Sequence, residues 1–339
     1  MGSALMSAVE PAFLQHPEYE ELLAHVWDDD QHWAIQAALA ANRPLLVRGE
    51  PGIGKTQLAQ AAAEQLRRPL VSLTVDSNTE SRDLMWTFDA VARLAEAQVA
   101  ANLYSDRDEL RASIDVKHFI SPGPIWWAID WDSAEAQLRP GQHAPVVPKG
   151  WQTANGVVIL IDEIDKADSD VPNGLLEAFG SRQFTPQGWS SPISIRAGIQ
   201  PPLIVVTTNE ERVLPDAFVR RCFVLHLQLP DCVQPDGEDL QDDERDKFLS
   251  YLITRGKAHF GELIPAEQLL LAAELLMNDR KEAILQNQSP RPGQAEYLDF
   301  LRALIQLASQ RKGDRKQVYA DICKNISRFV FKKSRGTDL

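Results

Sequence analysis

The chain has 339 residues, 44% hydrophobic and 24% charged, which is ordinary globular usage and excludes a disordered or collagen-like chain. Its 35 basic against 48 acidic residues give a formal net charge of −13. A field of that sign repels phosphate backbones, so nucleic-acid binding would need a local basic patch. At about 150 residues per domain, the length suits one large domain or two modest ones.

The longest aliphatic run, Val157 to Ile161, falls far short of the roughly 18 residues of a membrane span. The start shows no basic-then-apolar leader, and Met6 stands where an acylation motif wants Ser or Thr. Three scattered cysteines (Cys222, Cys232, Cys323) suit a reducing cytoplasm and exclude a disulfide framework or a cysteine zinc site.

In chain order, residues 1–30 form an acidic, weakly patterned extension, with Asp28-Asp29-Asp30 capping a helix over Trp33–Ala41. Pro44–Arg48 reads as a short buried strand, residues 55–66 as an alanine-rich helix, and Leu70–Val75 as a second strand. A helical stretch from Ser81 to about Ala101 precedes a loop holding five prolines and three tryptophans (Trp126, Trp127, Trp131). Val157–Ile161 is a strand, 171–180 a helix, and Leu203–Thr207 and Phe223–Leu229 two more strands. Residues 182–196, around Gly188, suit a β-hairpin. Strands alternating with helices predict a parallel sheet with helices on both faces. Residues 231–246 carry eight acids and one arginine, a solvated domain boundary. Beyond it the pattern is helical over 244–258, 265–277, 294–309 and 316–331. The basic cluster Lys332-Lys333-Ser334-Arg335 reads as a solvated helix end.

The segment Gly49-Glu50-Pro51-Gly52-Ile53-Gly54-Lys55-Thr56 fits the phosphate-loop pattern G-x4-G-K-[ST], with a strand before it and a helix after it. Its glycines let successive N–H groups face phosphate oxygens, and the helix N-terminus adds partial positive charge. Lys55 reaches the β and γ phosphates, and the Thr56 hydroxyl ligates Mg2+. Val157–Ile161 runs straight into Asp162-Glu163, at the carboxyl edge where open α/β sheets bind ligands. Asp162 is the candidate Mg2+ ligand, and Glu163 the base for the attacking water. Asp165 and Asp168 read as solvated carboxylates. Asn209, just past the strand between the two motifs, is placed to orient that water.

These residues resemble the AAA+ ATPases, with Walker A, Walker B and a sensor 1 position at Asn209. Within that class the chain looks like the MoxR-like group of the helix-2-insert clade. The matching segments are Phe119–Trp126, Asp162–Ala167, Leu175–Phe179, Leu214–Arg221 and Ser289-Pro290-Arg291. Independently, 105 residues separate Thr56 from Asp162, where two helices, a strand and loops need about 50–60. The surplus falls within 80–150 and supports an insertion, whose tryptophans read first as packing and second as a working loop.

The resemblance implies an α/β P-loop core over 31–230 with an insert at about 80–150, an acidic linker over 231–244, and an all-α lid over 245–339. It implies ATP and Mg2+ as cofactors and a homo-hexameric ring. It also implies an arginine finger acting in trans, for which Arg221 aligns best while Arg220 stands where the family commonly has an acid, so both stay in view. Arg291, starting a helix after Pro290, matches the family's sensor 2 arginine. The implied activity is ATP hydrolysis that remodels a partner, with a von Willebrand factor A-domain protein as the suggested partner; the acidic charge balance argues against nucleic acid. The rival readings are a nucleotide-controlled scaffold in a defence or stress system and a DNA-translocating subunit of a restriction complex.

Overall fold

The computed structural model describes residues 12–15, 22–103, 106–234, 238, 240–311 and 313–331. The chain opens with β1 (Ala12–Gln15) and β2 (Leu22–His25), followed by α1 (Asp29–Ala41), β3 (Leu45–Arg48), α2 (Lys55–Leu66) and β4 (Leu70–Thr74). Next come β5 (Trp86–Phe88), α3 (Ala90–Leu103), α4 (Arg107–Ser113), β6 (Ile120–Pro122), α5 (Pro124–Ile129) and α6 (Trp131–Ala136). Then follow β7 (Val158–Asp162), α7 (Asp170–Ser181), β8 (Gln183–Phe184), β9 (Ile193–Ser194), β10 (Leu203–Thr208), α8 (Asp216–Val219) and β11 (Phe223–His226). Four helices close the chain: α9 (Asp242–Phe260), α10 (Ala266–Leu285), α11 (Gln294–Ser309) and α12 (Arg315–Val330).

The chain divides into two compact units. One holds residues 30–48 and 58–226. Its five-stranded sheet has the order β11-β3-β10-β7-β4, every pair parallel. The central strands β3, β7 and β10 are almost wholly buried, as their continuous Leu/Ile/Val runs require of strands covered on both faces. The other unit holds residues 1–29, 49–57 and 227–339. Its core gathers Phe248 and Leu252 of α9, Leu269 and Leu276 of α10, Tyr297, Phe300 and Leu304 of α11, and Ile322 of α12. The antiparallel pair of β1 and β2 belongs to it and was not expected from the weakly patterned extension.

The stretch from 81 is not one helix. A 3-10 turn over Ser81–Leu84 leads into β5, and a helix resumes only at α3. Trp86-Thr87-Phe88 are strand-favouring residues, and they pair antiparallel with β6. The stretch expected as a proline and tryptophan loop also folds, with Pro124 starting α5 at the position where its missing N–H costs nothing. Gly123 is required there, because a Cβ would lie 2.4 Å from the Asp83 carbonyl oxygen.

The tryptophans settle into the core. Trp126 is 1% exposed and its Nε1–H donates to Ser133 Oγ at 2.8 Å. Its ring packs edge-on against Phe184 and Trp189, both from the expected hairpin around Gly188, which forms as β8 paired with β9. Trp127, Trp131 and Trp151 continue the cluster ring to ring. Packing is therefore the role of these tryptophans. Trp126→Ala should cost about 3–5 kcal/mol, the usual range for emptying a buried aromatic site. Denaturant unfolding measures it, and an unchanged midpoint would refute the packing assignment.

Candidate functional site

The parallel register sets the ends of three strands side by side. Thr208 of β10 faces Arg48 of β3, and Val206 faces Ile161 of β7, so Thr207 lies level with Asp162. The Thr207 hydroxyl donates to Asp162 Oδ1 and accepts the Glu163 N–H at 2.9 Å, bridging the two acids. Glu163 turns off the strand with a left-handed backbone (φ 61). Such conformations are uncommon for non-glycine residues and concentrate at functional sites. Its carboxylate is then held from two sides. Asn209 Nδ2 donates to Oε1 at 3.2 Å, and the Lys166 ammonium pairs with Oε2. That hydrogen bond raises the Lys166 pKa above its ordinary value and keeps the amine charged.

Asp165 departs from expectation. It is buried, not solvated, and it accepts the backbone N–H groups of Asn209 (3.4 Å) and Glu211 (2.9 Å). It thereby fixes the turn that carries Asn209. Asp168 is exposed, as expected. Neither Thr207 nor Asp165 carries a motif of its own; each is recognisable only once the strand register is known.

In the unit that holds the loop, Lys55 is buried and its ammonium donates to the carbonyls of Gly49 (2.7 Å) and Glu50 (3.0 Å). Gly52 has φ +77, and a Cβ there would lie 2.7 Å from the Ala295 Cβ at the start of α11. Only glycine allows this approach. Arg280 of α10, which the sequence did not mark, is buried and donates to Glu50 Oε2 at 2.8 Å and to the Pro292 carbonyl at 2.9 Å. The loop is thus clamped within its own unit by α10 and by the first turn of α11.

Arg291 does not start a helix. It is exposed, in the segment before α11, which begins three residues later at Gln294. Pro292 lacks a backbone N–H, and Gly293 takes the N-cap position, its N–H donating to Glu296 Oε2 at 2.9 Å. Arg220 and Arg221 are both placed just after α8, and both are exposed. Lys332–Arg335 lie outside the described residues.

Mg2+ usually binds through one or two carboxylates together with substrate phosphates and waters, not in an all-protein cage. Among the described residues no group of three His, Cys, Asp or Glu is placed to hold a metal ion by itself. Among the described residues no helix is long and apolar enough to cross a membrane.

A glycine loop entering a helix, with a bridged acid pair at the end of a central parallel strand, defines a P-loop ATPase. The chain belongs to the AAA domain family, dynein-related subfamily, whose model matches residues 44–222, more than half of its length. It is thus an ATPase of the AAA+ class, a class that uses ATP, typically with Mg2+, and commonly oligomerises. Among solved structures, it is similar to a point mutant of Thermotoga maritima RuvB, at 16% identity over 88% of this chain and 68% of that one, with a TM-score of 0.45. The T. maritima RuvB Holliday junction branch migration motor matches at 15% identity over 87% and 67%, with a TM-score of 0.43. A putative ATPase from Cytophaga hutchinsonii matches at 13% identity over 89% and 79%, with a TM-score of 0.36.

Proposed function

We propose that the chain is a MoxR-like AAA+ ATPase that hydrolyses ATP in a homo-hexameric ring and uses the energy to remodel a partner protein in the cytoplasm. In this reading residues 31–230 are the nucleotide-binding core, 231–244 the linker and 245–339 the lid. Gly49–Thr56 hold the phosphates, with Lys55 as their nearest cation. Thr56 and Asp162 hold Mg2+, which supplies positive charge for the β and γ oxygens. Glu163 takes the proton of the attacking water, and Asn209 fixes the carboxylate that does so. The observation that carries the reading is the Thr207 bridge between Asp162 and Glu163 together with the Asn209 bond to Glu163. These contacts hold two acids side by side at one strand end, which supports giving them separate tasks.

The matches to Leu214–Arg221 and Phe119–Trp126 favour the MoxR-like group, and with it a von Willebrand factor A-domain partner. Lys55→Ala should weaken ATP binding by about tenfold or more, since charge-assisted bonds to a phosphate contribute about 1.5–3 kcal/mol. Equilibrium binding of Mg·ATP measures it, and parent-level affinity would remove the loop from the site. Sedimentation with and without ATP tests the ring, and ATPase rates with an added A-domain protein test the partner.

A further inference from the structure

β4 is an outer strand of the five-stranded sheet, paired on one side only, with β7. The Val158 N–H donates to the Pro69 carbonyl and the Val75 N–H to the Asp162 carbonyl, both at 2.9 Å. Successive residues of a strand turn their backbone groups to opposite edges. Pro69, Val71, Leu73 and Val75 therefore face β7, and the N–H and C=O groups of Leu70, Ser72 and Thr74 point the other way. Among the described residues none bonds to those outward groups. That open edge borders a cavity of about 530 Å³, the size of an ordinary ligand site. β6, the start of α5 and the segment 138–145 supply the rest of its lining. β6 pairs with β5 and not with β4, so it does not take the place of a next strand in the sheet.

We propose that the β4 edge and this cavity take an extended segment of a partner polypeptide, which joins the sheet as a sixth strand and sets a basic side chain against Asp83. The free backbone groups recur every second residue, about 6.6 Å apart, a spacing that another extended chain matches. Leu70, Leu73, Pro122, Pro124, Trp127 and Leu138 give the cavity its apolar surface for the segment's side chains. Charge selects the basic residue. Asp83 is the one acid of the lining, and among the described residues no lysine or arginine lines it. Asp83 Oδ2 accepts the Glu80 N–H at 2.9 Å. Oδ1 has only the Arg82 guanidinium at 3.9 Å, beyond hydrogen-bond reach, and that guanidinium pairs with Glu80 at 2.9 Å instead. The formal net charge of −13 draws a basic segment in the same sense. The site stands apart from the phosphate loop, so the proposal does not depend on how the nucleotide is held.

The test uses the full chain against an array of end-capped, proline-free hexapeptides. Ser72→Pro removes the central outward N–H and puts a ring in its place. It leaves the bonds to β7, which Val71 and Leu73 make, and proline is tolerated on an edge strand where its missing N–H faces outward. Peptides held by the parent should lose about tenfold or more in affinity to Ser72→Pro and nothing to Ser72→Ala, which keeps the N–H. Those peptides should be rich in Lys and Arg, and Asp83→Asn should weaken them a few-fold. N-methylation at alternate residues along one edge of a bound peptide should abolish its binding, and along the other edge should spare it. This arm needs only the parent protein and stands if Ser72→Pro fails to fold. The unfolding midpoint and ATP turnover of Ser72→Pro should match the parent. No peptide bound by the parent, binding that tolerates N-methylation on both edges, or a preference for acidic peptides overturns the proposal. Parent dimers that Ser72→Pro abolishes, with no peptide bound, would make a second copy the occupant and overturn it too.

Discussion

Glu163→Gln should leave ATP bound and unhydrolysed. The amide keeps the shape of the carboxylate and an oxygen to accept from Asn209, so the strand end keeps its geometry. It loses the lone pair that takes a proton from water, and a positioned general base commonly contributes 10²–10⁴-fold to a rate, so turnover should fall by about that factor. The lost pairing with Lys166 changes little, because both side chains are partly exposed and such ion pairs contribute about 0–1 kcal/mol. ATP affinity should therefore stay within a few-fold of the parent, since the Gly49–Thr56 loop is untouched. Equilibrium binding and a phosphate-release assay read the two quantities separately. Turnover at the parent rate would show that Glu163 is not the base, and Asp162 or Asp165 would have to be reconsidered. Asp165 is a poor substitute, because its oxygens already accept two backbone N–H groups.

The parts of the site written as local pattern were legible in the sequence. Val157–Ile161 could only be a central strand, and it lies one residue from the observed β7. The helices over 55–66 and 294–309 match α2 and α11 at both ends, because each has a sharp start, a glycine loop in one case and a Pro-Gly pair in the other. The insert was legible as surplus length but not as structure. Its helices α5 and α6 have six residues each, too short to show a helical period, and tertiary packing of the tryptophans holds them. Thr207, Asp165 and Arg280 were missed for a related reason. Each matters through a neighbour distant in sequence, and no local spacing announces a threonine level with an aspartate on the adjacent strand. The helix start expected at Arg291 falls at Gln294 instead, because the Pro292-Gly293 pair postpones the helix.

Arg221→Ala should leave ATP binding largely intact and suppress hydrolysis by about 10³–10⁵-fold, the range for arginine fingers supplied in trans. The sheet register supports the geometry this requires. Phe223 faces Leu45, so β11 starts at the amino edge of the sheet, with Arg221 two residues upstream. Asp162 and Asn209 lie at the carboxyl edge, at the ends of β7 and β10. At about 3.3 Å per residue, the strands set roughly 10 Å of sheet between the two edges. An arginine at the amino edge is poorly placed for the acids of its own strand ends, and its exposure leaves it open to a neighbouring subunit. Arg220→Ala should do less, because Arg221 is the residue that aligns with the finger position. Mixing Lys55→Ala with Arg221→Ala subunits gives the decisive result. In a mixed ring, an Arg221→Ala subunit keeps its phosphate loop, and a Lys55→Ala neighbour supplies the missing guanidinium, so some interfaces regain one complete site. Hydrolysis should reappear on mixing although neither variant hydrolyses alone, and its rate should rise with total protein as rings assemble. An isolated monomer that hydrolyses ATP at the parent rate, or arginine variants with undiminished turnover, would remove the shared site and leave each subunit to act by itself.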